Sequence, residues 1–140
     1  MNGAAADQGE CLLNRFLLIA VGAAFGANAR YLIGLWAGSR YGADFPYGTF
    51  IVNIIGSLLL GFLVTLGSGR LHISAEARLL LAVGFLGSFT TFSAYTVESM
   101  NLLREASLWQ GLLNMVSNSL VGLLFAVLGA ALARLLQGGG

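Results

Sequence analysis

The residues best suited to chemistry in this 140-residue chain are amides and hydroxyls inside long apolar stretches. Thr49, Asn53 and Ser57 recur every four residues, so a helix would place them in one stripe on one face. A polar group in hydrocarbon has no water to pair with and needs a partner in the protein or in a passing ligand. The stripe therefore indicates either contacts between helices or the wall of an ion pathway.

A second unusual stretch, residues 84–93, reads GFLGSFTTFS. Its glycines and β-branched residues weaken a continuous helix. A break inside a membrane is tolerated only within protein or beside a cavity, and it frees backbone groups that can bind an ion. An ordinary kink packed on its neighbours is the alternative. Phe92 and Tyr95 follow the stretch at a spacing that places them on roughly one helix face.

Two ionisable residues also lie within apolar stretches. Arg30 would cost about 2.5–3.5 kcal/mol at the centre of a membrane helix. It either extends to the interface or faces a water-filled vestibule, where its charge would attract anions. Glu98 is the acid closest to a helix interior, and we expect it to pair at the interface with Arg104 or Arg78.

The last apolar stretch contains Asn114 and Asn118, again four residues apart, with Ser119 beside them. The polar residues as a whole include no cluster of His, Cys or carboxylates. The sequence therefore predicts no nucleophile with its base and no metal site built from side chains. Neutral donors suit an anion, and an aromatic ring offers it a positive edge. The sequence therefore favours anion binding over catalysis, and the protein is predicted not to be an enzyme.

Composition and charge define the setting. Hydrophobic residues make up 57% and charged residues 9%, whereas a soluble domain has about 25% charged residues. A net charge of +1 gives no basic patch, so no nucleic-acid partner is predicted. Cys11, the single cysteine, cannot form an internal disulfide. The chain is predicted to lie in a lipid bilayer.

Charged residues bracket uncharged runs at 45–69, 79–97 and 106–133, and a further apolar run precedes Ala37. A helix needs about 20 residues to cross the hydrocarbon core. The sequence predicts an all-α membrane protein with four transmembrane helices in one domain, 14–136, the third helix broken at mid-membrane. The predicted helices are about 14–37, 47–67, 79–100 and 109–134, and residues 1–13 and 137–140 are predicted to be flexible.

The arginines at the ends of these helices and in their connections are divided four to two between the two sides of the membrane. Arg15, Arg70, Arg78 and Arg134 would face one side, and Arg40 and Arg104 the other. Positive residues set orientation, and this bias is small. The sequence is compatible with insertion in both orientations and an antiparallel dimer, or with one orientation that places the four-arginine side in the cytoplasm.

Three segments together resemble the signatures of Fluc-type fluoride channels, the CrcB family. They are GANARY at 26–31, GTFIVNIIG at 48–56 and GFLGSFTTFS at 84–93. The resemblance extends over about residues 16–136. It implies a dual-topology antiparallel homodimer in the bacterial inner membrane, which exports toxic fluoride passively through two pores.

The resemblance also implies roles for individual residues. Asn53 would be a pore-lining amide, Phe92 the first aromatic residue of a phenylalanine box, and Ser119 a pore serine of the fourth helix. Tyr95 stands where a second phenylalanine is usual, and its hydroxyl could bind an anion or narrow the path.

Around the break, the family pattern implies that the backbone carbonyls of Gly87 and Thr90 hold a structural sodium ion at the dimer centre. Thr91 and Ser93 would flank the break beside the fluoride path, and Arg30 would lie near a vestibule.

Two further positions depart from the family pattern. Ser88 replaces the usual second glycine, and Met115 stands where relatives often have tyrosine. Asn114 or Asn118 could therefore supply the donor of the fourth helix.

Two other functions compete with this interpretation. A small-multidrug-type, proton-coupled exporter would need a titratable carboxylate in its first helix, where this chain has Arg30 and no acid. A non-transporting scaffold subunit would have no use for a broken third helix flanked by aromatic residues.

Overall fold

A computed structural model describes residues 2–69 and 73–138, with side chains from Leu12 onward. The described residues form helices joined by short connections. The helices are α1 (Asn2–Tyr41), α2 (Tyr47–Gly67), α3 (Ala75–Arg78), a π-helical segment (Leu79–Leu86), α4 (Gly87–Phe89), α5 (Phe92–Asn101), a second π-helical segment (Leu102–Ala106) and α6 (Leu108–Gly138).

Four stretches of these helices are long and apolar enough to cross a membrane. They are Leu12–Tyr41, Tyr47–Gly67, Ala75–Ala106 and Leu108–Gly138. The prediction of an all-α protein with four helices able to span a bilayer is confirmed. We refer to Ala75–Ala106, which contains α3, α4, α5 and both π-helical segments, as the third span.

The helices at both ends of the chain are longer than the predicted ones, and the flexibility of these ends stays a prediction. Residues 2–13, predicted to be flexible, belong to α1, and residues 137 and 138 belong to α6. The Gln137 side chain explains part of this difference, because its Nε2 donates to the carbonyl of Thr65 at 3.0 Å. The last carbonyls of a helix have few donors within that helix, so Gln137 gives the end of α2 a further donor while extending α6. Met1 and residues 139–140 of the predicted ends lie outside the described residues.

Glycines permit the closest helix crossings. A Cβ on Gly61 would meet the backbone of Ala126 in α6, and one on Gly129 would meet the backbone of α2. Gly22 and Gly84 similarly bring α1 against the first π-helical segment. Lipid gives no hydrophobic drive for helices to associate, so close backbone packing between small residues holds such crossings together.

A small buried cluster positions the interior of the third span. Val52 of α2 packs with Leu86 and Phe89, which lie just before α5. The rings of Phe85 and Phe89 stack with their centroids 5.6 Å apart. Since Val52 precedes Asn53 and Phe89 precedes Thr90, this cluster sets the distance between two polar stretches singled out in the sequence.

We expect Gly129→Ala to destabilise the protein, because the new methyl group would meet the Leu58 carbonyl and the Phe62 nitrogen of α2. Alanine favours a helix over glycine by up to about 1 kcal/mol, yet such overpacking typically costs about 1–3 kcal/mol. The measurement is the thermal unfolding midpoint of the purified protein in detergent. Gly38→Ala is the matched control, since its Cβ meets nothing within 4 Å. Equal midpoints for the two variants would contradict the predicted close crossing.

Candidate ion-binding site

The backbone between α4 and α5 is extended at two consecutive threonines. Thr90 has φ −84° and ψ 158°, and Thr91 has φ −150° and ψ 114°. The Thr90 hydroxyl donates to the Leu86 carbonyl at 3.0 Å, while the Thr91 hydroxyl accepts from the Ala94 N–H at 3.1 Å. A β-branched residue tolerates extended backbone, and its hydroxyl can replace a helical partner. The two threonines thus end one helix and cap the next.

This geometry removes hydrogen-bond donors from two carbonyls. In a continuous α-helix the N–H of each residue bonds to the carbonyl four residues earlier. Here the Thr91 N–H bonds to Asn53 Oδ1 at 2.9 Å, and the Ala94 N–H bonds to the Thr91 hydroxyl. The carbonyls of Gly87 and Thr90 therefore lack the donors that a continuous helix would give them.

Asn53 connects α2 to the extended backbone. Its Oδ1 accepts from the Thr91 N–H, and its Nδ2 donates to the Thr91 carbonyl at 3.2 Å. One side chain thus satisfies both backbone groups of a residue that has left the helical pattern. The same Nδ2 also donates to Asn118 Oδ1 of α6 at 3.1 Å.

Two further amides continue this network through α6. Asn118 Nδ2 donates to Asn114 Oδ1 at 2.9 Å, and Asn114 Nδ2 donates to the Ser99 hydroxyl at 2.8 Å. The Ser99 hydroxyl in turn donates to the Tyr95 carbonyl at 2.8 Å. Asn114 is completely buried, and these bonds satisfy an amide that would otherwise be costly there.

A groove of about 330 Å³ opens beside the network. It brings together six of the predicted site residues: Asn53, Thr90, Thr91, Phe92, Tyr95 and Ser119. Ser93 lies next to them, with its hydroxyl 3.4 Å from that of Thr91. Ser57, the last member of the α2 stripe, and Asn118 also line the groove.

The two aromatic residues are oriented differently. Phe92 is 76% exposed, whereas Tyr95 is buried. Their ring centroids are 5.4 Å apart with an angle of 55° between the planes. The Tyr95 hydroxyl donates to the Met115 carbonyl of the α6 backbone at 3.3 Å, and Tyr95 lines the groove.

Sequence reasoning did not settle on Asn118 and missed Ser99. The signal for Asn118 was its spacing from Asn114, which matches the four-residue spacing of the α2 stripe. Ser99 follows Tyr95 by one helical turn, but no spacing within the sequence relates it to the distant Asn114. Only the packing of α5 against α6 brings those two together.

Among the described residues, which include Arg78 and Arg104, Glu98 forms no ion pair, so the pairing expected from the sequence is not formed. The Thr49 hydroxyl donates to its Oε1 at 2.7 Å. Both residues line a separate cavity of about 740 Å³, and its described lining includes the carboxylates of Asp44 and Glu105 and no arginine. Arg30 is partly exposed and lies one turn before Gly34, which lines this cavity, so its vestibule role stays a prediction.

Four membrane-spanning stretches and a polar groove between helices define a multi-pass membrane protein with a potential ion-binding site. The chain belongs to the family described as CrcB-like protein, Camphor Resistance (CrcB), whose model matches residues 17–130. This confirms the resemblance noted in the sequence.

Several relatives bear the name fluoride-specific ion channel FluC. The one from Chloroflexus aurantiacus is 48% identical over 122 residues, which cover 87% of this chain and 97% of the relative. One from Roseiflexus is 48% identical, over 86% of this chain and 97% of its own length. One from Clostridium perfringens is 39% identical, over 86% and 94%.

We expect Asn53→Ala to loosen the backbone at Thr91, because the N–H and the carbonyl would both lose a partner. Each unsatisfied buried group costs about 1–3 kcal/mol, so the Thr91 amide should exchange its hydrogen at least about tenfold faster. Hydrogen exchange followed by NMR in detergent micelles measures this rate. Ser57→Ala, one turn further along α2, is the control and should leave the Thr91 rate unchanged. An unaltered rate in Asn53→Ala would contradict the role of this amide.

Proposed function

We propose that the protein is a fluoride-selective ion channel that exports toxic fluoride passively across the bacterial inner membrane. Family membership and the names of the relatives support this proposal. The observation that carries it in the structure is the groove of amides, hydroxyls and aromatic rings between otherwise apolar helices. Transport through such a groove requires no catalytic group.

The groove has the chemistry of a small-anion site. Its lining among the described residues offers hydroxyls from Ser57, Thr91 and Ser119, and it includes no carboxylate. A small, strongly hydrated anion needs closely spaced donors to replace its water, and fluoride is the smallest halide. The rings of Phe92 and Tyr95 add apolar walls whose edges carry partial positive charge.

The working unit in this proposal is a homodimer. In one chain Ser93 and Ser119 are exposed, and 76% of Phe92 is uncovered beside them. Lipid itself offers no hydrogen bond to either hydroxyl, so in this proposal a second copy covers the groove and encloses a water-accessible path. Two copies supply two grooves and therefore two pores. The small arginine bias supports insertion in both orientations and an antiparallel pair.

A structural sodium ion at the dimer centre fits the backbone between α4 and α5. The carbonyls of Gly87 and Thr90 lack their helical donors, and hard cations prefer oxygen ligands. Gly87 is exposed in a single chain, which leaves its carbonyl accessible to a shared ion. Two carbonyls from each subunit would hold the sodium, and its charge would join the two copies.

Fluoride efflux from liposomes tests the function directly. Purified protein is reconstituted with internal potassium fluoride or potassium chloride, valinomycin balances charge, and ion-selective electrodes follow release. We expect fast fluoride release with little chloride release. Absence of fluoride release from protein shown to be dimeric would overturn the proposal and favour a scaffold role.

Asn53→Asp should abolish this flux, because a carboxylate removes a donor and repels the anion. A loss of about 3 kcal/mol in interaction with the ion corresponds to a flux reduction of about a hundredfold. The same efflux assay measures it, and size-exclusion chromatography verifies that the dimer persists. Full flux in an assembled Asn53→Asp dimer would remove Asn53 from the pore.

Removal of sodium should weaken the dimer. We expect a lower thermal midpoint and a larger monomer fraction when sodium is replaced by N-methylglucamine at constant ionic strength, because an ion bound only to the assembled state stabilises it. Potassium chloride is the control for ionic strength. Identical midpoints and monomer fractions in all three salts would contradict the sodium site.

A further inference from the structure

The side chains around the groove form one directional chain of hydrogen bonds, which we call the amide relay. It starts at the Thr91 N–H and passes through Asn53, Asn118, Asn114 and Ser99 to the Tyr95 carbonyl. Its five bonds are 2.9, 3.1, 2.9, 2.8 and 2.8 Å long. Each member accepts from the one before and donates to the next. The relay begins and ends on the third span and crosses α2 and α6 between.

This direction fixes the orientation of every amide in the relay. The carboxamide oxygen of Asn53 faces the Thr91 N–H, so its nitrogen faces Asn118. A flipped Asn53 would place its oxygen against Asn118 Oδ1, with no hydrogen between them. Asn118 is held in turn because its Nδ2 donates to both the side-chain and backbone oxygens of Asn114, at 2.9 and 3.2 Å. Bonds in such a chain polarise and strengthen one another.

The relay leaves Asn53 without a spare hydrogen. A carboxamide nitrogen carries two hydrogens, and those of Asn53 go to the Thr91 carbonyl and Asn118 Oδ1. An anion in the groove can therefore bind this nitrogen only by displacing an oxygen of the protein. Of these two acceptors, Asn118 Oδ1 is the one that belongs to a side chain, and Asn118 lines the groove.

We propose that Asn118 determines anion specificity by competing with the entering ion for the Asn53 N–H. Fluoride is the strongest hydrogen-bond acceptor among the halides, and a charged acceptor forms a stronger bond than a neutral amide oxygen. Chloride spreads its charge over a larger radius and gains less from the same N–H. Specificity is a difference between two affinities, so an internal competitor that excludes weak acceptors increases it.

Asn114 is a positioning residue in this arrangement. It is completely buried and does not line the groove, yet it holds the Asn118 nitrogen and so aims the Asn118 oxygen at Asn53. Loss of its amide should affect selectivity without any contact to the ion. This inference rests on the proposed function and assigns a role to two α6 residues within it.

The test is the ratio of fluoride to chloride efflux in Asn118→Leu, which removes the competing oxygen while keeping a side chain branched at Cγ. We expect the ratio to fall at least tenfold, because chloride gains access to a free N–H. Asn114→Leu should lower the ratio in the same direction. Asn28→Leu is the matched control and should keep the wild-type ratio. Within the part of the chain that the structure describes, the Asn28 side chain bonds to its own helix, at the Ala24 carbonyl, over 2.7 Å.

A second measurement uses the wild-type protein and so does not depend on folding of the variants. With 15N-labelled asparagine, the Asn53 side-chain N–H resonance should shift on titration with sodium fluoride and stay in place with sodium chloride. An unmoved resonance, or a wild-type ratio in assembled Asn118→Leu, overturns the role of Asn118. A wild-type protein that releases no fluoride instead overturns the proposed function itself.

Discussion

The structure depends on one constraint: two consecutive residues inside an apolar span leave the helical pattern, and their backbone groups still need partners. Water is absent from hydrocarbon, so an unpaired N–H or carbonyl there costs several kcal/mol. Asn53 meets this need at Thr91, where it bonds both the N–H and the carbonyl. The third span can depart from a helix at Thr91 because α2 places the Asn53 amide within hydrogen-bond distance of it.

The packing of the other helices follows from the reach of that amide. A carboxamide extends only a short distance from its backbone, so α2 must lie close to both the third span and α6. A Cβ on Gly56 would meet the Thr90 side chain. A Cβ on Gly61 or on Gly129 would likewise meet the backbone of the facing helix where α2 and α6 cross. Glycine on these faces therefore permits the contacts from Asn53 to Thr91 and to Asn118.

The sequence was informative about features that follow one helix at a time. Charge-free runs predicted three of the spans and an apolar run predicted the first. Four-residue spacing pointed to Asn53 and to the pair Asn114 and Asn118, because these patterns are local. The partners could not be predicted in the same way. Tyr95 bonds to the Met115 carbonyl, and Thr49 bonds to Glu98, because of how separate helices cross. The length of α6 beyond its predicted end has the same origin, since Gln137 bonds to the distant Thr65.

The donors of the amide relay all have acceptors in the protein, and this also affects how an ion moves through the groove. An ion pathway must bind its ion strongly enough to replace water and weakly enough to release it. Free donors in hydrocarbon would hold an anion tightly and would be costly when the ion left. In the amide relay each donor already has a protein acceptor, so an ion gains only the difference between itself and that acceptor. The network that stabilises the groove without an ion thus also limits how tightly the groove can hold one.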